Sequence, residues 1–303
     1  MTAPLEIIEV GPRDGLQNQD VALSTADKIA MIDRLIAAGA RRIEVASFVN
    51  ATRVPQMADA EAVIAGLQTH KDVTRIGLVL NERGLDRALA TGIEEIGVVV
   101  VASDTFGMRN QKQTSAESVE MAIKVITRAR AAGRRAQATI AVAFGCPFEG
   151  EVPQERVTAM AERLAEASPL EIALADTVGV AVPLQVKTLL ANVRQAITRI
   201  PLRCHFHNTR NTGLANAFAA VEAGVQRLDS SVGGIGGCPF APAATGNIAT
   251  EDLVYMLERS GYRTGYDLGS LVAMIPWLAE RLQLNQLPAM VSRVTAFPPV
   301  ANG

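Results

Sequence analysis

His205 and His207 sit one residue apart in the short apolar run Pro201-Leu-Arg-Cys-His-Phe-His. Side chains alternate across a strand with period two, so both imidazoles project from one face, about 7 Å apart along it. That is the spacing of a paired metal ligand, and it is equally the spacing of two polar residues on a solvated strand face. What separates the two readings is whether acidic and amide partners converge on the same point.

Several residues are candidates for that convergence. Val10-Gly-Pro-Arg-Asp-Gly-Leu-Gln-Asn makes a sharp turn carrying Arg13 and Asp14, either a structural ion pair or a functional one. A carboxylate oxygen from Asp14 with imidazole nitrogen from His205 and His207 is a mixed donor set that suits Mg²⁺ or Mn²⁺ better than a thiolate-rich zinc site. Glu44, in Arg42-Ile-Glu-Val-Ala-Ser, alternates with apolar neighbours and is expected to point inward, as an ion-pair partner of Arg42 or Arg13 or as a group that orients them. Asp176, in Ala173-Leu-Ala-Asp-Thr-Val-Gly, serves the site, caps the following helix, or does both. The segment Ser231-Val-Gly-Gly-Ile-Gly-Gly-Cys-Pro-Phe-Ala-Pro-Ala-Ala-Thr-Gly-Asn has the small, uncharged residues of a loop that covers a ligand. It is where a fourth metal ligand is expected, and its Cys238 is either a proton carrier or inert filler.

The elements that must position these residues are legible as eight strand candidates: 5–10, 42–46, 73–80, 96–101, 136–142, 171–175, 202–207 and 227–232. Helical patterns lie between them, at 25–38, 116–131, 157–167, 184–197 and 213–223, and further helices follow at 250–259 and 268–284. Ser24-Thr-Ala-Asp and Thr114-Ser-Ala-Glu mark helix starts, while Ala38-Gly39, Ala132-Gly133 and Ala223-Gly224 mark stops. Strand-helix repetition implies a parallel sheet. Eight regular units without a linker favour a closed (β/α)8 TIM barrel with extra C-terminal helices over a doubly wound open sheet. The expected organisation is a single catalytic domain over 1–303, with the barrel at about 5–235, a loop and helices at about 236–290, and a frayed tail. In such a barrel the chemistry sits at the C-terminal ends of the strands.

Composition narrows the partner. Of 303 residues, 49% are hydrophobic and 20% charged, and a net charge of -2 offers neither a basic field for nucleic acid nor an acidic tail. No apolar run is long enough to span a membrane, the N-terminal segment has no leader pattern, and three widely spaced cysteines argue for a reducing compartment. A soluble cytoplasmic protein with a small-molecule ligand is expected.

With these residues in view the chain resembles the 3-hydroxy-3-methylglutaryl-CoA lyase family, within the wider superfamily of metal-dependent lyases and Claisen-condensing barrels. The shared motifs run through nearly the whole chain: Gly11-Pro-Arg-Asp-Gly-Leu-Gln-Asn, Ile43-Glu with Ser47-Phe-Val, Val54-Pro-Gln-Met-Ala-Asp, Gly145-Cys-Pro-Phe-Glu-Gly, Ala175-Asp-Thr-Val-Gly, His205-Phe-His, Asp229-Ser-Ser-Val, Gly236-Gly-Cys-Pro-Phe-Ala and Gly246-Asn-Ile-Ala-Thr-Glu-Asp-Leu-Val-Tyr-Met. The Arg-Asp-Gly turn and the histidine pair identify only the superfamily, whereas the Gly-Gly-Cys-Pro loop narrows it to acyl-CoA lyases. The resemblance implies Asp14, His205, His207 and Asn247 as metal ligands, Arg13 facing the thioester, Glu44 and Asp176 as supporting acids, and Cys238 on a mobile catalytic loop. Gln17, Asn18, Ser47 and Arg210 are expected around the substrate, with a structural role open to the first two from their turn position. The resemblance also implies a place in leucine degradation and a homodimer.

The chain departs from the family pattern in three places: His207 is followed by Asn208-Thr209-Arg210 instead of aspartate and tyrosine, Asp20 follows Gln19 where a lysine is common, and Ser103-Asp replaces Ser-Glu. The metal residues are untouched, and the variation falls on acyl-group preference. Arg210 pairs with a substrate carboxylate or holds its own loop.

The implied reaction is retro-Claisen cleavage of 3-hydroxy-3-methylglutaryl-CoA to acetyl-CoA and acetoacetate. A divalent ion would lower the hydroxyl pKa, Arg13 would stabilise the enolate, and Cys238 would protonate it. Asp176, His205 and hydroxide on the metal are the candidates for the initial base. The rival readings are a lyase for citramalyl-CoA or a longer branched analogue, a condensing synthase, and a silent metal-binding protein.

Overall fold

A computed structural model describes residues 4–237, 246–294 and 297. Eight strands, β1 (Glu6–Glu9), β2 (Arg42–Ser47), β3 (Thr74–Val79), β4 (Glu95–Val101), β5 (Arg135–Ala141), β6 (Ile172–Asp176), β7 (Leu202–Phe206) and β8 (Arg227–Ser230), pair in parallel in chain order. Glu6 to Glu9 align with Arg227 to Ser230, so β1 closes the sheet against β8 into the expected TIM barrel.

The helices are α1 (Thr25–Ala37), α2 (Ala60–Gly66), α3 (Glu82–Leu89), α4 (Asp104–Asn110), α5 (Ser115–Ala131), α6 (Gln154–Ala165), α7 (Pro183–Ala196), α8 (Gly213–Glu222), α9 (Thr250–Arg259) and α10 (Leu268–Arg281). Their starts follow from local chemistry. Ser24 accepts the Asp27 N–H at the head of α1, and Thr114 with Glu117 closes a reciprocal cap on α5. Gly39 and Gly224 follow the ends of α1 and α8 with φ of +108° and +87°, a region that a Cβ makes costly. Apolar stripes such as Met31, Ile32 and Leu35 on α1, and Val125, Ile126 and Ala129 on α5, are buried against the barrel. Each large aliphatic side chain so buried contributes about 1.5–3 kcal/mol. Among the described residues no helix is long and apolar enough to cross a membrane.

The barrel interior is largely charged. Arg42 forks onto Glu95 and Glu171, which are fully buried, and Glu171 also lies 3.3 Å from both Arg203 and Arg227. Burial opposes the ionised form of Glu171, but Arg203 and Arg42 outweigh it and hold its carboxyl below the usual range. Ile8, Val10 and Ile76 form a small apolar cluster of their own, separate from the main core. The sheet also breaks its own alternation once. Register shifts between Glu44 and Ala46, so that Glu44 opposes Ile76 and Ser47 opposes Leu78, and the extra residue brings both polar side chains to one face.

Replacing Arg42 by Met removes the guanidinium shared by two fully buried carboxylates and leaves Glu95 only Arg135 at 3.4 Å, and urea denaturation near neutral pH is expected to show a loss of about 3–5 kcal/mol. The exposed Lys187–Glu222 pair is a control, since Lys187→Ala should cost at most about 1 kcal/mol. Glu171 has a depressed folded pKa, so its contribution is present above its unfolded pKa and is lost as pH falls through the folded value. The gap between wild type and Arg42→Met should therefore narrow in acid, and a gap of the size of the surface control at neutral pH would refute this account.

Candidate active site

The Arg13–Asp14 turn is built by backbone convergence. The N–H groups of Arg13, Asp14 and Gly15 all approach the Val10 carbonyl, at 3.2, 2.7 and 3.2 Å, in a single wide turn directly after β1. Such π-type turns are frequent at functional sites because they re-aim a side chain at the end of an element. Here the turn sends Arg13 and Asp14 over the barrel mouth. Arg13 Nη1 donates to Asp14 Oδ1 and Nη2 to Glu44 Oε2, both at 2.6 Å, so Glu44 points inward as expected and its partner is Arg13. Arg42 belongs instead to the charged interior network.

His205 lies on β7 and His207 one residue beyond it, with ring centroids 5.1 Å apart. His207 bridges to Asn247, on the chain that returns from the loop after β8. Asp14, His205 and His207 bring one carboxylate oxygen and two imidazole nitrogens within 4.8 Å of one another. Ligands about 2.1 Å from a common ion would lie within about 4.2 Å, so the trio needs only a small contraction to share one. Two orphaned atoms supply a test of fit. The buried Nδ1 of His207 and the buried Oδ1 of Asn247 have no hydrogen-bond partner, while Asn247 Nδ2 donates to Asp14 Oδ2 at 2.9 Å and to the Ile235 carbonyl at 3.1 Å. An unpartnered imidazole nitrogen and amide oxygen beside an ionised carboxylate are the donors a hard divalent cation takes, so this set fits such an ion.

Electrostatics point the same way. Burial opposes the charge on Asp14, but Arg13, His205 and His207 outweigh it and hold the carboxyl well below the carboxylate range. Burial, reinforced by His205, pushes His207 down to about 3, which keeps its imidazole in the neutral, ligating form. On His205 burial is outweighed by the Asp229 hydrogen bond and by Asp14, and its pKa rises. Burial penalises the Arg13 cation too, yet Glu44 and Asp14 more than offset this and hold its proton firmly.

Asp229 is the functional residue that sequence reasoning passed over. Its Oδ2 lies 3.2 Å from His205 Nδ1 and its Oδ1 3.4 Å from Arg203 Nε, so it orients the imidazole from behind and is itself held by the charged interior. The available signal was period-two alternation in Arg227-Leu-Asp-Ser, which places Asp229 on the inward face.

Other expected residues have different surroundings. Asp176 opposes Phe206, one step out of register with the pair Ala175 and His205. Its two oxygens accept the N–H groups of Val180 and Ala181 at 2.9 and 3.0 Å, so it closes the loop before α7, while burial raises its pKa. Arg210 donates to the carbonyls of Val178 and Gly179 and so holds that same loop. It stands on the wall of a cleft of about 500 Å³ with Cys146, Val178, Val180 and Thr209. Asn18 donates to the Gly237 carbonyl at 2.8 Å, tying the first turn to the loop after β8. Gln17 Oε1, Ser47 Oγ and Arg13 Nε are buried without partners. Cys238 lies outside the described residues. Cys146 and Cys204 are free and buried.

The family model described as HMGL-like matches residues 4–275. The chain is 43% identical to an (R)-citramalyl-CoA lyase of Chloroflexus aurantiacus, covering 98% of this chain and 96% of that one. It is 41% identical to the hydroxymethylglutaryl-CoA lyase YngG of Bacillus subtilis, over 91% and 92% of the two chains. A solved HMG-CoA lyase from Acinetobacter baumannii, in complex with coenzyme A and 3-methylmalate, superposes with a TM-score of 0.94 at 38% identity, covering 99% of each chain.

Mn²⁺ titrated into the purified protein should bind in the calorimeter, and Asp14→Ala or His207→Ala should abolish the heat. Asp229→Asn, which weakens the support behind His205, should cost about 10–100-fold in affinity. Wild-type affinity in Asp14→Ala would remove that residue from the ligand set.

Proposed function

The chain belongs to the HMGL-like family of carbon–carbon lyases, and from that premise we propose that it cleaves 3-hydroxy-3-methylglutaryl-CoA to acetyl-CoA and acetoacetate with the help of Mg²⁺ or Mn²⁺. The observation that carries the reading is the convergence of Asp14, His205 and His207 within 4.8 Å beside the doubly ion-paired Arg13. Asp14, His205, His207 and Asn247 would hold the ion. When bound, a divalent ion supplies Lewis acidity toward the substrate oxygens and lowers the pKa of the tertiary hydroxyl.

The chain's own residues account for the rest of the chemistry. The hydroxyl proton passes to the initial base, for which His205 and Asp176 are this chain's candidates; the bond between C2 and C3 then breaks, C3 becomes the ketone of acetoacetate, and the electron pair passes into the acetyl-CoA enolate. Arg13 is fixed by Glu44 and Asp14 through one N–H of each terminal nitrogen, which leaves its other N–H groups, the unpartnered Nε–H among them, as donors for the enolate oxygen. Being already oriented, it stabilises that charge without reorganising. Ser47 and Gln17 offer unpartnered polar atoms for substrate oxygens and hydroxyls. Asp176 and Arg210 shape the wall of the cleft by fixing the β6–α7 loop. Cys238 donates its thiol proton to the enolate carbon, completing acetyl-CoA, and the thiolate it leaves is reprotonated with the proton taken up by the initial base. The protein acts in the cytoplasm, a reading supported by its three widely spaced cysteines, and as a homodimer, as the family resemblance implies.

A second reading keeps the reaction and changes the acyl group. The citramalyl-CoA lyase relative at 43% identity favours it, as does the Asn208-Thr209-Arg210 sequence beside the cleft. Initial rates with hydroxymethylglutaryl-CoA, (R)-citramalyl-CoA and a longer branched thioester decide between them. The leading reading requires the highest kcat/KM for hydroxymethylglutaryl-CoA, and a higher value for citramalyl-CoA transfers the assignment to it.

EDTA should abolish cleavage, and Mg²⁺ or Mn²⁺ should restore it. Full activity in chelator would refute metal dependence. Cys238→Ser should lower kcat by about 100-fold or more with little change in KM, the signature of a lost proton donor. An unchanged kcat would leave Cys238 without that role.

A further inference from the structure

Glu9 is a buried carboxylate on an unexpected face. It pairs in register with Ile43 of β2 and Ser230 of β8, while its neighbours Ile8 and Val10 form the small interior cluster with Ile76. Alternation therefore turns Glu9 outward, into the apolar layer between barrel and helices, where it has no exposure at all. Burial pushes its carboxyl up to about 7, a penalty that packing alone would never select, since an aliphatic residue would fill the space without it.

Its partners explain the placement. Oε1 accepts the N–H of Gly11 at 2.7 Å and the N–H of Val232 at 3.0 Å, and Oε2 accepts the Thr250 hydroxyl at 2.6 Å. Gly11 opens the turn that carries Asp14. Val232 opens the segment whose Ile235 carbonyl holds the Asn247 amide, and Thr250 lies three residues beyond Asn247. The segments touch directly. A Cβ on Gly15 would fall 2.7 Å from both Ile235 and Ser231, and one on Gly11 would fall 2.6 Å from Glu9 itself.

We propose that Glu9 is a positioning residue that clamps, from behind the barrel wall, the two segments bearing Asp14 and Asn247, and so fixes the spacing of the divalent-cation site. The inference rests on the reading that these two residues bind the cation. It assigns Glu9 no contact with substrate or ion.

Calorimetric Mn²⁺ titration of the metal-free protein tests this without reference to turnover. Glu9→Met keeps the volume and removes both acceptors, and its Kd should rise about 10-fold or more. Glu9→Gln keeps the amide oxygen for the two N–H groups and should stay within about 3-fold of wild type. Leu189→Ala, in the buried face of α7 away from both segments, should lower the melting temperature and leave Kd unchanged. A Kd for Glu9→Met within about 3-fold of wild type overturns the proposal, and so does an equal loss in Glu9→Gln. Should Glu9→Met not fold, Thr250→Val decides, with a weakened Kd expected and wild-type affinity overturning the clamp. Asp14→Ala separates the two levels of inference: retained Mn²⁺ binding there sinks the site reading, whereas its loss beside normal binding in the Glu9 variants sinks only the clamp.

Discussion

Charge buried inside the barrel must be paired, and the functional mouth depends on how that pairing is stacked. Arg42 holds Glu95 and Glu171, Glu171 and Asp229 share Arg203, and Asp229 holds His205. A column of alternating charge therefore runs from the closed end of the barrel to the first histidine. Removing one member strips its neighbours of a partner in a low-dielectric interior, which costs more than the pair contributes. The scaffold and the site are in this sense one electrostatic structure, with the imidazole of His205 at its upper end.

Barrel closure is the second requirement. Asp14 and Asn247 are 233 positions apart, yet the β1–β8 pairing sets their segments side by side and Asn247 Nδ2 reaches Asp14 Oδ2. Closure also explains why the return from the Gly-rich loop is stitched at several levels. Asn208 N–H bonds the Gly246 carbonyl, Ile248 N–H the Phe206 carbonyl, and Ser231 N–H the Ile248 carbonyl. The chain from Gly246 onward is thus anchored to β7 and to the end of β8.

Much of this was legible before any coordinates. All eight strands and the paired face of His205 and His207 follow from period-two alternation, and the caps at Ser24 and Thr114 from local hydrogen-bond chemistry. The short helices α2, α3 and α4 were missed because seven or eight residues hold barely two turns, too few to establish a stripe. The bulge at Glu44 to Ala46 is invisible in sequence, since it is a property of pairing with β3 and not of β2 alone. Asp229 was seen as part of a motif and not as a partner, because its role exists only once β8 lies beside β7 in register. For Asp176 and Arg210 the sequence left two readings each, and the backbone hydrogen bonds they make answer the structural half.

The adjacency of Arg13 and Asp14 has its own physical logic. Asp14 divides its oxygens, with Oδ1 bound to Arg13 and Oδ2 to Asn247, and Oδ2 lies 4.0 Å from His205 Nε2. On the proposed reading, one carboxylate therefore touches both positive features of the site, a permanent guanidinium and the candidate position of a divalent ion. Two cations placed independently would repel each other across a buried site. Sharing Asp14 screens that repulsion, and Glu44 supplies a second negative charge on the far side of Arg13. The wide turn after β1 is what permits neighbouring residues to do this, because three N–H groups gathered on Val10 fold the chain tightly enough for Arg13 to bond its own successor. A regular strand would send the two side chains to opposite faces, and the charge balance at the mouth would be lost.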